Sequence, residues 1–496
     1  MSLSRKPGPC ADAEAASDTA RISAGAAPHE SSVAQRRKRS RLRRASLTRR
    51  AARTTIAVGA LASVGLTGCG GGATSNNGGS ATVGNITWWS WTPDNDLAAR
   101  EIAAFNKQYP QIKVTYKKVP IDNYAAILKP ALASKDGPDV YTVNASGRFS
   151  AEAFAPYAYD LTSDVKRLLG DDWQSKVYAD GAKAFTVKGR LVAAEWAKVG
   201  AGIVWINKGL FDKYRLQPPQ TMGDWVSVCR TFRANGHGCL REGLAGTSGF
   251  VVDTLHSIAD SVEPGAWKAA VDGQKKWTDP ALVQSLQILQ TMSKNGILDE
   301  GAVGIQQYPD VNNAFLSGKV PMVQMGTWYQ QYATVNSLTA ALQGAGVAQD
   351  TEKITILPIA FPDIAGKGNP SPLFADPDAG QSVNAKSKAR NAAVTFALWL
   401  GHTKEGQQVV ADNMDSFPTL TGVAPNFDSI QLVNPGLQRP ALQDVSERLL
   451  QATEARSVGI SAALNQGIID GCQAVVSGKS PSDAAATIQS AADSSR

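Results

Sequence analysis

Histidine is scarce in this 496-residue chain: there are four, His29, His237, His256 and His402, and their spacing fits no metal-binding pattern. There is no G-x-S-x-G nucleophile turn, no H-E-x-x-H pair and no G-x-x-x-x-G-K phosphate loop. Acid pairs do occur, at Asp171/Asp172 and Asp376/Asp378. A glycosidase needs two carboxylates facing each other across a sugar bond, and neighbouring acids are by default a solvated surface. The expectation is therefore a protein without catalysis, metal or cofactor. Long apolar runs are also missing. The single run, Ile56 to Leu66, falls short of the roughly 20 residues a membrane span needs. No internal repeat or heptad pattern is present.

The one apolar run has its own meaning. A dense Arg/Lys tract from Arg36 to Arg53 precedes it and small residues follow it, which is the layout of a secretory signal. Arg49-Arg50 leaves both general and twin-arginine export open. The stretch Leu66-Thr67-Gly68-Cys69 resembles a bacterial lipobox, with Cys69 as the residue that receives lipid. Residues 1–35 read as disordered, and Gly70 to Gly79 (GGGATSNNGG) as a flexible tether. Of the 50 Lys/Arg and 43 Asp/Glu, 13 and 4 lie in the first 68 residues, which leaves 37 and 39 and a formal charge of −2. The basic excess belongs to the leader, so nucleic acid is excluded as a partner. Cys10 and Cys69 fall in the leader and anchor. Outside the cytoplasm, Cys229 and Cys239 are candidates for a short-loop disulfide, and Cys472 for a buried thiol.

Beyond the tether, strands alternate with helices. Ile86 to Trp91 (ITWWSW) reads as a strand, and Pro93-Asp94 opens a helix with Ala98, Ile102 and Phe105 on one face. Ile112 to Tyr116 is a second strand, Tyr124 to Leu132 a helix, and Asp139 to Val143 a third strand. This pattern predicts an α/β domain with a largely parallel sheet. Ligands of such sheets sit beyond the carboxyl ends of the strands, which singles out the loops starting at Trp91 and Asn144. Further along, Thr221 with Asp224 forms a capping pair, Asp279-Pro280 starts a helix, and Asn391 to Leu400 is a strongly apolar helix. Asp444 to Ala455 and Ser461 to Val476 read as helices, and Ser480 caps a last one.

Several ordered motifs carry a resemblance. A strand ending Trp89-Ser-Trp91 is followed by Phe105-Asn-Lys-Gln-Tyr-Pro110 and Gly137-Pro138-Asp139-Val140. Then come Trp205-Ile-Asn207-Lys-Gly-Leu-Phe211, Pro218-Pro219-Gln-Thr221-Met-Gly-Asp224-Trp225, Phe315-Leu-Ser-Gly318-Lys319-Val-Pro-Met322 and Gly326-Thr-Trp328. Together they are similar to the extracellular solute-binding proteins (family 1) of bacterial ABC importers, closest to the branch that binds sugars such as maltose. The resemblance implies two lobes joined by hinge strands, each with a mostly parallel sheet flanked by helices. Lobe one would be 84–199 with 361–418, and lobe two 202–360 with 419–496, after a leader (1–68) and tether (69–83). Gly200-Ala-Gly202 and Leu357-Pro358 would be hinges.

Sugar rings stack their C–H faces on tryptophan, while their hydroxyls need polar partners once water leaves. The candidate ligand residues are Trp91 and Asp94 on the first loop, Asn144 and Ser146 after the third strand, Glu195 and Trp196 before the hinge, Trp328, and Asp378. Trp88, Trp89, Trp225, Trp399 and Trp205 read as packing. Asp94 has a competing role as a helix cap. The expected partners are a carbohydrate, the membrane subunits of a permease, and the membrane through lipid on Cys69, with the chain a monomer on the outer face of the cell membrane. A surface-anchored glycan-processing enzyme and a receptor for a sensor kinase are the alternatives.

Overall fold

The structure, a computed structural model, describes residues 78–246, 249–347, 354–369 and 371–495. Cys69 and the leader lie outside these residues. All of the described residues fall in one compact unit, from Ala73 to Arg496. Among them, no helix is long and apolar enough to cross a membrane.

Two sheets organise the unit. The first has the strand order β2-β1-β3-β11-β6, made of β1 (Gly84–Ser90), β2 (Ile112–Lys118), β3 (Val140–Asn144), β6 (Ala194–Ala201) and β11 (Phe374–Val383). A small hairpin of β4 (Thr186–Val187) and β5 (Arg190–Leu191) lies beside it. The second sheet has the order β10-β7-β9-β8, made of β7 (Ile203–Asn207), β8 (Leu240–Arg241), β9 (Met322–Gln324) and β10 (Ile356–Ala360).

In β1, alternate residues Ile86 and Trp88 point to a core and are almost fully buried. The Trp88 indole N–H donates to Gln381 Oε1 at 2.9 Å, so even its polar atom is satisfied. Helices Asn95–Gln108 and Ile121–Ala133 connect β1, β2 and β3 as parallel neighbours. Strand β7 is buried on both sides: Val204 and Ile206 pack in one apolar cluster with helix Phe250–Val262, while Ile203 and Trp205 pack in another with Phe315 and Tyr329. Helix Met222–Ala234 starts with a full capping box between Thr221 and Asp224. Cys229 of this helix is disulfide-bonded to Cys239 beside β8, with 5.1 Å between Cα atoms, and Cys472 is a free, buried thiol.

The sheets are mixed, which corrects the expectation of mostly parallel ones. In the first sheet β11 runs antiparallel to both β3 and β6, and in the second β7 runs antiparallel to β9 and β10. The reason lies in the crossings between sheets. Strand β6 runs straight on through Gly202 into β7, so its direction is set by the passage and not by a helical return. Gly202 has φ +92°, and an added Cβ would stand 2.7 Å from the Pro372 carbonyl oxygen. Leu357 and Pro358 pair with Ile206 and Trp205 inside the second sheet, and Phe361 and Ile364 pack in its core. The chain therefore returns to the first sheet near Leu373, later than the Leu357-Pro358 hinge and the start of lobe one at 361 predict. Helix Pro435–Leu450 also begins nine residues before the expected Asp444, with Pro435 in its first turn, where the missing N–H costs nothing.

Candidate functional site

A cavity of about 1020 Å³ lies between the two sheets, near the upper end of small-molecule sites. The first wall is formed by segments that follow the strands of the first sheet. Trp91, just past β1, packs against Phe149 and Tyr124, with ring centroids 4.8 and 5.1 Å away. Asp94 stands at the N-cap position of helix Asn95–Gln108 but makes no side-chain cap bond. Its carboxylate instead pairs with Lys118 and accepts a hydrogen bond from the Tyr332 hydroxyl at 3.1 Å, from the opposite wall. The Asn144 amide donates to Asp378 Oδ1 at 3.3 Å, and Ser146 Oγ lies 2.9 Å from Ser457 Oγ.

Two carboxyls on this side, the buried Asp415 and the half-buried Asp378, are held above their usual range. Burial, then the nearby Asp94 charge, pushes Asp415 up to about 7, although it accepts hydrogen bonds from Thr92 Oγ1 at 2.9 Å and Gln331 Nε2 at 2.7 Å. Burial pushes Asp378 up to about 6, with Arg456 opposing.

The second wall is built around Arg456. Its guanidinium donates to both oxygens of Asp253 at 2.9 to 3.1 Å, and its backbone N–H to Asp376 Oδ1 at 2.9 Å. Burial works against the charge, but Asp253, Asp378 and Asp376 outweigh it and keep the group ionised. The same guanidinium lies 4.9 Å over the Trp328 ring. Trp328 donates its N–H to the Tyr308 hydroxyl at 3.1 Å, and Phe250 sits 6.0 Å from its ring. Gly326 makes room for this arrangement: a Cβ there would be 2.0 Å from the Trp328 ring and 2.5 Å from the Gly200 carbonyl oxygen.

Of the sequence-derived candidates, Trp91, Asp94, Asn144, Ser146, Trp328 and Asp378 line one cavity. Glu195 and Trp196 do not, and the ligand reading of both is withdrawn. Each is 1% exposed, inside the first sheet's core. Trp196 packs edge-on to Trp88, and the Glu195 carboxyl is pressed against Gly181, where a Cβ would come within 1.7 Å. Burial holds Glu195 well above the usual carboxylate range; Lys198 offsets part of this and Asp180 adds to it. Position before a hinge does not decide which face of a strand a side chain takes, and β6 is covered on both. Sequence reasoning missed Arg456, Asp253, Asp415, Tyr308 and Phe250. Phe250 and Asp253 belong to helix Phe250–Val262, which is buried on every side, so its periodicity does not tell a cavity-facing residue from a core-facing one.

The chain matches the family model of the bacterial extracellular solute-binding proteins over residues 101–435. It is 25% identical over 240 residues to PH1039 of Pyrococcus horikoshii, an uncharacterized ABC transporter extracellular-binding protein, a match covering 47% of this chain and 54% of that protein. It is 23% identical over 180 residues to the melibiose/raffinose/stachyose-binding protein MelE of Bacillus subtilis, covering 35% of this chain and 38% of MelE. The chain thus spans about half or less of the length of these curated relatives. Among solved structures, maltose-bound MalE3 of T. maritima is similar at TM-score 0.63 and 19% identity, over 83% of this chain and all (100%) of that one. The GacH receptor of Streptomyces glaucescens is similar at TM-score 0.59 and 21% identity, over 82% and 97%. At such identities the likeness establishes the two-lobed fold.

Proposed function

The chain belongs to the bacterial extracellular solute-binding proteins, and on that premise we propose that it captures a mono- or oligosaccharide between its lobes and delivers it to the membrane subunits of an ABC importer. The observation that carries this reading is the lining of the cavity. Trp91 on one wall faces Trp328, Tyr308 and Phe250 on the other, and Asp94, Asn144, Asp378 and Asp415 stand among them. Aromatic faces and fixed acceptors are what the two sides of a sugar ring require. MelE and MalE3, by their names, bind sugars.

Lobe one is the unit around the first sheet and lobe two the unit around the second. A ligand touching both favours the closed form by its differential affinity, and the permease senses that form. The reading places the protein outside the cytoplasm, a monomer held by lipid on Cys69 through a flexible tether, and gives it binding without turnover. Intrinsic tryptophan fluorescence and thermal shift against sugars, polyols and amino acids test it. A saturable response to a carbohydrate is expected, and a response to none of the carbohydrates overturns the assignment. Hydrolysis of an oligosaccharide would favour the enzyme alternative. Lipid labelling that persists in Cys69→Ala would remove the anchor.

A further inference from the structure

Outside the cavity, three potential ligand groups converge in the interior: His256 and Asp260, one turn apart on helix Phe250–Val262, and Glu454 from the loop that also carries Arg456. His256 Nε2 lies 3.4 Å from Asp260 Oδ2 and 3.2 Å from Glu454 Oε2, and the three donor atoms fall within 4.8 Å of one another. The Asp260 side chain is 1% exposed, and neither of its oxygens accepts a hydrogen bond of normal geometry. A carboxylate so placed is expensive to bury without a cation.

The histidine is held flat between two rings, Phe374 at 3.8 Å and Trp267 at 4.7 Å, so its Nε2 is fixed in direction toward the two acids. One neutral imidazole and two carboxylates sum to −2, the charge that a divalent ion balances. Zinc ligands at about 2.0–2.2 Å in a tetrahedron stand roughly 3.4 Å apart, close to both distances from His256. The mixed N/O donor set favours a first-row transition ion over calcium or magnesium. We infer that His256, Asp260 and Glu454 form a binding site for a divalent transition-metal ion such as zinc, with water completing the coordination.

The position gives the ion a structural role. The Glu454 carbonyl oxygen accepts a hydrogen bond from the Ala375 N–H at 2.8 Å, and Phe374 is the first residue of β11. An ion here joins helix Phe250–Val262 to the loop that presents Arg456 and Ser457, at the point where the chain has just returned to the first sheet. The inference does not depend on what the cavity binds.

The test uses the purified protein without a polyhistidine tag, stripped with a chelator and then exposed to zinc, manganese or calcium chloride. Bound metal is counted by mass spectrometry and melting is followed in parallel. One zinc per chain and a higher melting temperature are expected. Both should be lost in Glu454→Gln and in Asp260→Asn, with zinc affinity falling at least about tenfold, the loss ordinarily seen even for an outer-shell partner. If Asp260→Asn fails to fold, the half-buried Glu454→Gln and the stripped wild type still decide the matter. The inference is overturned if zinc is not retained, if both variants retain it unchanged, or if calcium binds in its place. The contacts of His256 with the two acids would then be the whole of the cluster.

Discussion

The two walls of the cavity are assembled by different means. On the first, Trp91 and Asp94 follow β1, Asn144 ends β3 with Ser146 just beyond it, and Asp378 lies within β11, so the sheet topology itself delivers them. On the second, Phe250 and Asp253 come from a buried helix, Tyr308 and Trp328 from short turns, and Arg456 from a loop 203 positions beyond its partner Asp253. One wall is a by-product of strand order. The other is held in place by a guanidinium that three aspartates surround. The first wall should therefore tolerate substitution better than the second.

The sharpest way to break that contrast is Arg456→Ala. It leaves Asp253 buried without its guanidinium partner, while Asp376 keeps its backbone donors and loses only a nearby positive charge, and a loss of about 3–5 kcal/mol in denaturant unfolding is expected, with Arg456→Lys intermediate because the bidentate fork is gone. A loss below about 1 kcal/mol would mean that the second wall stands without it.

The first wall carries its cost in pH. Asp415 is raised to about 7 in the folded chain by burial and by Asp94, so the folded state holds this proton more tightly than the unfolded state does. Its contribution to stability is complete below the ordinary carboxylate pKa of about 4 and is lost as pH rises through about 7, a change on the order of a few kcal/mol. Asp378, raised to about 6, adds the same trend over a narrower window. Thermal melts from pH 4 to 8 should fall with pH in the wild type and flatten in Asp415→Asn.

Trp91→Ala and Trp328→Ala compare the walls in binding. Each should weaken carbohydrate affinity by about 1–3 kcal/mol in calorimetric titration, and Trp328→Ala should lower the melting temperature more than Trp91→Ala, since Arg456 rests on its ring. The smallest effect is expected from Glu195→Gln: less than about 1 kcal/mol in stability and no change in ligand affinity, because burial already disfavours the charged form of this carboxyl and it lines no part of the cavity. A large loss of affinity in this variant would return Glu195 to the site.

The same contrast explains what could be read from the sequence. β1, β2 and β3 announce themselves by β-branched and aromatic runs bounded by prolines and glycines, and the residues just beyond them followed from the strand-end rule. β11 (FADPDAGQSV) does not, because Pro377 and Gly380 are poor strand residues and only pairing with β3 and β6 on either side makes it one. Trp328 was legible through a motif. Arg456 was not, since nothing in its own segment shows that Asp253 and Asp376 will surround it. Glu195 and Trp196 went wrong for a related reason: in a strand covered on both faces, period-two alternation no longer separates ligand-facing from core-facing residues.

The embrace of Arg456 also has a bearing on descent. A lineage built on this chain has little freedom at that position, because any replacement is screened for folding before its effect on binding is felt. Novelty in what the protein collects is channelled toward its neighbours in the cavity, such as Trp91 and Gln306, where a change of side chain leaves the guanidinium and its aspartates in place. Among diverging copies, the arginine would persist while its surroundings drift.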